Sequence, residues 1–68
     1  MNIVLVEDSE LVRTQLIRLL AAESRLKIVG IAAGENEAVD LILRTRPDAV
    51  LLDLALAPGS GVSVLQRI

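Results

Sequence analysis

The chain has 68 residues, a net charge of −2, and neither cysteine nor histidine. Disulfides, thiolate metal sites and histidine acid–base chemistry are therefore excluded, and the lack of a basic cluster argues against direct contact with nucleic acid or an anionic membrane. Hydrophobic residues make up 53% and none is aromatic, so the core must be built from Leu, Ile, Val and Ala, in one domain that buries only about 60% of its unfolded surface.

Ile3-Val4-Leu5-Val6 is an apolar run of the kind found in buried parallel strands. It starts directly at the N-terminus, without the basic and cleavable regions of a signal peptide. No apolar run reaches the ~18 residues of a spanning helix. The expected compartment is the cytoplasm. Glu7-Asp8-Ser9 follows the run. Ser9 is expected to cap a helix, because its hydroxyl can accept from a free N–H of the first turn, and acids there suit the helix dipole. From Glu10 the spacing turns helical. Val12, Leu16, Leu19 and Leu20 are expected to form the buried stripe, with Arg13, Gln15 and Arg18 pointing elsewhere and the helix fading between Ala22 and Arg25.

Lys27 to Ala32 reads as a second strand, at an edge because it opens with charge. Ala33-Gly34-Glu35-Asn36 is a turn, with the next helix starting near Glu35 or Asn36. Ala38, Leu41 and Ile42 supply its inner face, with Val39 and Leu43 beside them. That helix should end at Arg44-Thr45-Arg46, where cations suit the dipole and where Pro47 disfavours helix at the residue before it. Ala49-Val50-Leu51-Leu52 is the third strand and reads as fully buried; Asp53 stands at its carboxyl end. A loop through Ala57-Pro58-Gly59-Ser60-Gly61 leads to a third helix from Val62. Gly61 is expected in the turn and Pro58 as a stiffener of the loop. The order β-α-β-α-β-α with short connections predicts an α/β fold with a parallel sheet. The third helix stops after about two turns, which is expected of an incomplete domain.

In open α/β sheets ligands bind at the carboxyl ends of the strands. Glu7 and Asp8 end the first strand and Asp53 ends the third. Each alone has a plain structural role, as first-turn acid, cap or loop former. If the two strands are neighbours, three carboxylates meet. Two like charges ~4 Å apart at an effective dielectric of ~20 repel by about 4 kcal/mol, so such a cluster holds protons or binds a cation. An all-oxygen site favours a hard cation, best Mg²⁺. A carboxylate beside it can act as nucleophile toward a phosphoryl group. Lys27 sits at the opposite end of the sheet from Asp53 and is a poor candidate for contact with that group.

The chain resembles the receiver domain of bacterial two-component response regulators. The resemblance rests on Ile3-Val4-Leu5-Val6-Glu7-Asp8, on Arg46-Pro47-Asp48-Ala49-Val50-Leu51-Leu52-Asp53-Leu54, and on Gly61 eight residues past Asp53. Val29-Gly30 and Glu37-Ala38-Val39 look like the family too. It implies a flavodoxin-like doubly wound parallel sheet, cut here to the first three strands in order 2-1-3 and the start of the third helix, with residues 1–68 forming about the first half of a receiver. It further implies that Asp53 is the phosphoacceptor. Glu7, Asp8, Asp53 and the backbone carbonyl of Ala55 would hold Mg²⁺, and a sensor histidine kinase would donate the phosphoryl group. Receivers catalyse their own phosphorylation and dephosphorylation in a regulatory role. Two departures are mild: Glu-Asp stands for the usual Asp-Asp, and Ala57-Pro58 shifts the usual proline by one. Nothing in the chain corresponds to the fourth strand with its hydroxyl residue or to the fifth with its phosphate-binding lysine. The third strand is thus expected as an exposed edge, and self-association through it or by exchange of the third helix follows. The alternative reading is a structural fragment without phosphotransfer, a pseudo-receiver or engineered half-domain. A small metal-dependent phosphatase is disfavoured because Ala55 stands where such enzymes carry a second Asp.

Overall fold

A computed structural model describes residues 1–53 and 61–68. Ala55 and the expected loop through Ala57-Pro58-Gly59-Ser60 lie outside the described residues. Six elements follow one another: β1 (Asn2–Val6), α1 (Glu10–Ala21), β2 (Lys27–Ala32), α2 (Glu35–Thr45), β3 (Ala49–Leu52) and α3 (Gly61–Arg67). The strands form one parallel sheet in the order β2-β1-β3. The chain leaves β1 to one side for β2 and then crosses to the other side for β3, so the order reverses at β1. A flavodoxin-like doubly wound sheet is built in this way.

β1 is the centre of the molecule. Ile3, Val4, Leu5 and Val6 are all buried, because successive side chains point to opposite faces and both faces are covered. Val4 and Val6 face a core made with Ala32 of β2, Ala38, Val39, Leu41 and Ile42 of α2, and Val64 of α3. Leu5 lies on the other face, where it shares a crevice with Leu16 of α1 and Leu51 of β3. Helices therefore flank the sheet on both sides.

The sheet is tied at its start by Asp48, whose N–H donates to Asn2 O at 2.8 Å and whose Oδ2 accepts from Asn2 N–H at 2.6 Å. Pairing of β1 with β2 shifts register between Ile3 and Val4, where Ile28 and Gly30 are successive partners. Val29 is the extra residue of a bulge. Gly30 is required there by a close approach: a Cβ on it would lie 2.7 Å from both methyl carbons of Leu41. The bare backbone lets α2 settle on the sheet.

Ser9 caps α1, accepting from Val12 N–H at 3.3 Å. The expected stripe of α1 is corrected. Leu19 is 70% exposed and Val12 is also exposed, while Arg13, Leu16, Ile17 and Leu20 are half-buried. These four follow i, i+3, i+4, i+7 and make the inner face. α1 is apolar over most of its circumference, so spacing alone does not choose between two stripes one residue apart.

α2 has Gly34 at its N-cap with no side-chain cap, although Glu37 reaches back to accept from Ala33 N–H at 3.4 Å. Its inner residues are Ala38, Val39, Leu41 and Ile42, whereas Leu43 is exposed. It ends on Arg46 in the left-handed region at φ 47°, a conformation that closes the helix before Pro47. β3 departs from the expected full burial. Ala49, Val50 and Leu52 are half-buried and Leu51 is 41% exposed, because β3 is an edge among the described strands. Gly61 is not in the turn but opens α3, where it is buried.

Candidate metal centre at the ends of β1 and β3

The parallel ladder does not stop at the last strand residues. Glu7 N–H donates to Ala32 O at 3.0 Å and Asp53 N–H donates to Val6 O at 3.0 Å. The first bond carries β1 one residue further along β2, and the second carries β3 one residue further along β1. Both acids thus leave the sheet from backbone already locked in register. Asp8, next in line, starts the turn into α1.

The result is a meeting of three carboxylates. One oxygen from each of Glu7, Asp8 and Asp53 lies within 4.8 Å of the others. Glu7 is only 9% exposed, Asp53 is half-buried and Asp8 is exposed. Glu7 is oriented by Ser9, whose N–H donates to Oε1 at 3.1 Å. Its backbone carbonyl accepts from Arg13 Nη1 at 3.2 Å. Glu7 and Asp53 also line an open crevice of about 210 Å³ together with Leu5, Val6, Leu16, Leu51 and Leu52. Its lining is apolar apart from these two acids. The crevice stands at the topological switch point, between the strands that diverge from the reversal of order.

All donors brought together are carboxylate oxygens, a set that suits a hard cation and not a soft one. Three carboxylate oxygens within 4.8 Å of one another form a donor set that a hard cation could draw together, and an ion such as Mg²⁺ typically takes one or two carboxylates and completes its shell with waters. Of the four residues named from the sequence for this site, the fold brings Glu7, Asp8 and Asp53 together; Ala55 falls outside the described residues. Lys27 pairs with Asn2 at the far end of the sheet, away from the crevice. Arg13, expected to point away from the buried stripe of α1, reaches back to Glu7. The available signal was its position five residues after Asp8, one helical turn past the cap.

A parallel α/β sheet with a carboxylate crevice at its switch point defines the class of protein. A family model for the response regulator receiver domain matches residues 3–68, and the chain belongs to that family. A protein-glutamate methylesterase/protein-glutamine glutaminase from a Shewanella species is 34% identical over 67 residues, which is 98% of this chain and 19% of that protein. The DNA-binding transcriptional activator DevR/DosR of Mycobacterium tuberculosis is 38% identical over 67 residues, 98% of this chain and 31% of that protein. The response regulator domain of Thermotoga maritima CheB superposes with a TM-score of 0.94 at 26% identity, over 100% of this chain and 51% of that chain. The chain therefore spans about half of that solved domain and less than a third of these two curated relatives. Among the described residues no helix is long and apolar enough to cross a membrane.

Proposed function

We propose that this chain is the phosphoacceptor segment of a two-component response regulator receiver and that Asp53 takes a phosphoryl group from a histidine kinase in a Mg²⁺-dependent reaction. The observation that carries the reading is the convergence of Glu7, Asp8 and Asp53 within 4.8 Å, at the ends of two strands that neighbour each other only because the fold crosses over β1. Capping and loop formation account for each acid singly but not for their meeting.

In this reading a carboxylate oxygen of Asp53 attacks phosphorus. The P–N bond to the donor imidazole breaks, its electron pair stays on the nitrogen, and that nitrogen takes up a proton. Asp53 is suited to this by its backbone bond to Val6, which holds it at the crevice rim. Glu7, Asp8 and Asp53 would hold the Mg²⁺, with the Ala55 carbonyl as the further ligand that the family resemblance implies, and the ion would supply positive charge against the oxygens of the transferring group. The chain acts in regulation in the cytoplasm, as residues 1–68 of a receiver, and its protein partners are the kinase and whatever reads the phosphorylated state.

A small-molecule phosphodonor with Mg²⁺, followed by intact mass, tests this. One phosphoryl group should be added to the protein and none to Asp53→Asn. Omission of Mg²⁺ should suppress labelling of the unsubstituted protein. Labelling that survives Asp53→Asn would remove Asp53 from the role.

A second element concerns association. The outer edge of β3 carries backbone donors and acceptors and a 41% exposed Leu51. Such an edge is a template for another strand. α3 is packed on α2 of its own chain through the buried Val64, so pairing of β3 with a second copy is favoured here over exchange of α3.

A further inference from the structure

A cation near the start of a helix is unfavourable, because the free N–H groups there carry partial positive charge. Arg13 lies just past the first turn of α1, yet its side chain folds back toward that end and is half-buried. Its guanidinium donates from Nη1 to the backbone carbonyl of Glu7 at 3.2 Å. That carbonyl belongs to the peptide joining Glu7 to Asp8. The backbone is gripped on both sides of Glu7: its N–H is bound to Ala32 O at 3.0 Å and its carbonyl to Arg13. Arg13 is itself anchored through its own N–H, which donates to Ser9 O at 2.8 Å. The side chains of Glu7 and Asp8 both depart from the two ends of this peptide, so its orientation sets the backbone from which the two acids reach into the crevice.

We propose that Arg13 is a positioning residue of the acidic crevice. By holding the Glu7 carbonyl it fixes the peptide that carries Glu7 and Asp8, and with it the backbone geometry from which the acids take a divalent cation. This role rests on the reading of the crevice as a Mg²⁺ site. Two effects of Arg13 on a cation have opposite sign. Its positive charge repels the ion, whereas its hold on the ligand backbone favours binding. Removing the side chain separates them: a net loss of affinity means that orientation dominates, and a net gain means that charge does.

The experiment is a Mg²⁺ titration of the protein, of Arg13→Met and of Arg13→Lys, read by backbone amide shifts and by calorimetry, with thermal midpoints measured in parallel. Methionine keeps an apolar stem against the sheet but has no donor; lysine restores a donor. Arg13→Met should bind Mg²⁺ about tenfold more weakly, as is typical when a group supporting a metal ligand is lost. Arg13→Lys should regain most of that loss. Without metal, the Asp8 amide nitrogen should shift in Arg13→Met, because the carbonyl of its own peptide loses a donor. A folded Arg13→Met that binds Mg²⁺ as tightly as the parent, or more tightly, overturns the role. So does a fall in thermal midpoint with no change in affinity, which would make Arg13 purely structural. If Arg13→Met does not fold, the role is decided on Arg13→Lys: an Asp8 amide shift with a matching change in affinity supports it, and neither overturns it. A parent protein that takes no Mg²⁺ removes the metal site itself and the role of Arg13 with it, an outcome distinct from a parent that binds and a variant that binds equally.

Discussion

Asp8 and Glu7 are adjacent in sequence but differ in how they meet solvent. Glu7 is nearly enclosed and its carboxylate is engaged by Ser9 N–H, while Asp8 is exposed. Replacing Asp8 by Ala should therefore weaken Mg²⁺ binding without loss of fold, since little packing depends on it. Glu7→Ala should weaken binding, while its effect on stability has two opposed parts. About 1–2 kcal/mol is lost with the Ser9 hydrogen bond and the buried packing. Without metal the repulsion among the acids, about 4 kcal/mol for a pair ~4 Å apart, is relieved, so the metal-free variant should be the more stable; denaturant titration with and without Mg²⁺ reads both. Gly30 poses the opposite case. Alanine there restricts the unfolded chain, a gain of about 0.4–1 kcal/mol. The new Cβ meets Leu41 at 2.7 Å, and overpacking of this kind costs about 1–3 kcal/mol. Leu41 is 8% exposed and has little freedom to swing away, so overpacking wins and Gly30→Ala should lose about 1 kcal/mol net. In a Leu41→Ala background the same substitution should be neutral or stabilising, a non-additivity that a double-mutant cycle would read.

At the scale of elements, α3 is the shortest helix. Seven residues are too few to be helical alone in water, so α3 depends on its contacts. Among the described residues these include Val64, inserted into the core, and Arg67, whose Nη1 donates to Glu35 Oε2 at 2.8 Å and to Asn36 Oδ1 at 2.7 Å at the start of α2. The ion pair is half-exposed, so Arg67→Ala should cost only about 0.5–1 kcal/mol. Val64→Ala removes fully buried methyl groups and should cost about 2 kcal/mol. Hydrogen exchange in α3 should rise in both variants, more in Val64→Ala, with β1 protected in each. Equal effects would mean that the ion pair carries as much as the core contact. α1 shows the limit of reading elements by period. Its existence, its Ser9 cap and its end near Ala22 were all legible, because capping and length are local. Its inner face was not, because an arginine with a long apolar stem can lie inward at one end of the stripe.

For the whole molecule, the sheet order sets both the place of the carboxylate crevice and which described strands lie at the edges. β1 lies between β2 and β3, which makes β1 the most buried strand and puts both other strands at the edge of the described sheet. β2 opens with the exposed Lys27 and carries a bulge at Val29, two devices that discourage pairing. β3 has neither, and its run Ala49-Val50-Leu51-Leu52 is apolar throughout. Association through β3 should therefore be concentration-dependent and should fall on replacing Leu51 by Lys, as measured by sedimentation; a protein that stays monomeric at high concentration before any substitution would refute it.

The strands, the starts of α1 and α2 and the acids were determined by the sequence itself, because apolar runs, caps and Pro47 act over a few neighbouring residues. The motif around Glu7-Asp8 and Asp53 was likewise enough to point to the receiver family and to a hard-cation site. Only the tertiary structure decided that the three carboxylates stand within 4.8 Å, that α1 turns Arg13 inward to the Glu7 carbonyl, and that Gly30 admits Leu41. Each of these joins residues from different elements. Their distances depend on how the sheet crosses over and how each helix rotates on its face, and a nearly uniform apolar helix does not encode its rotation locally.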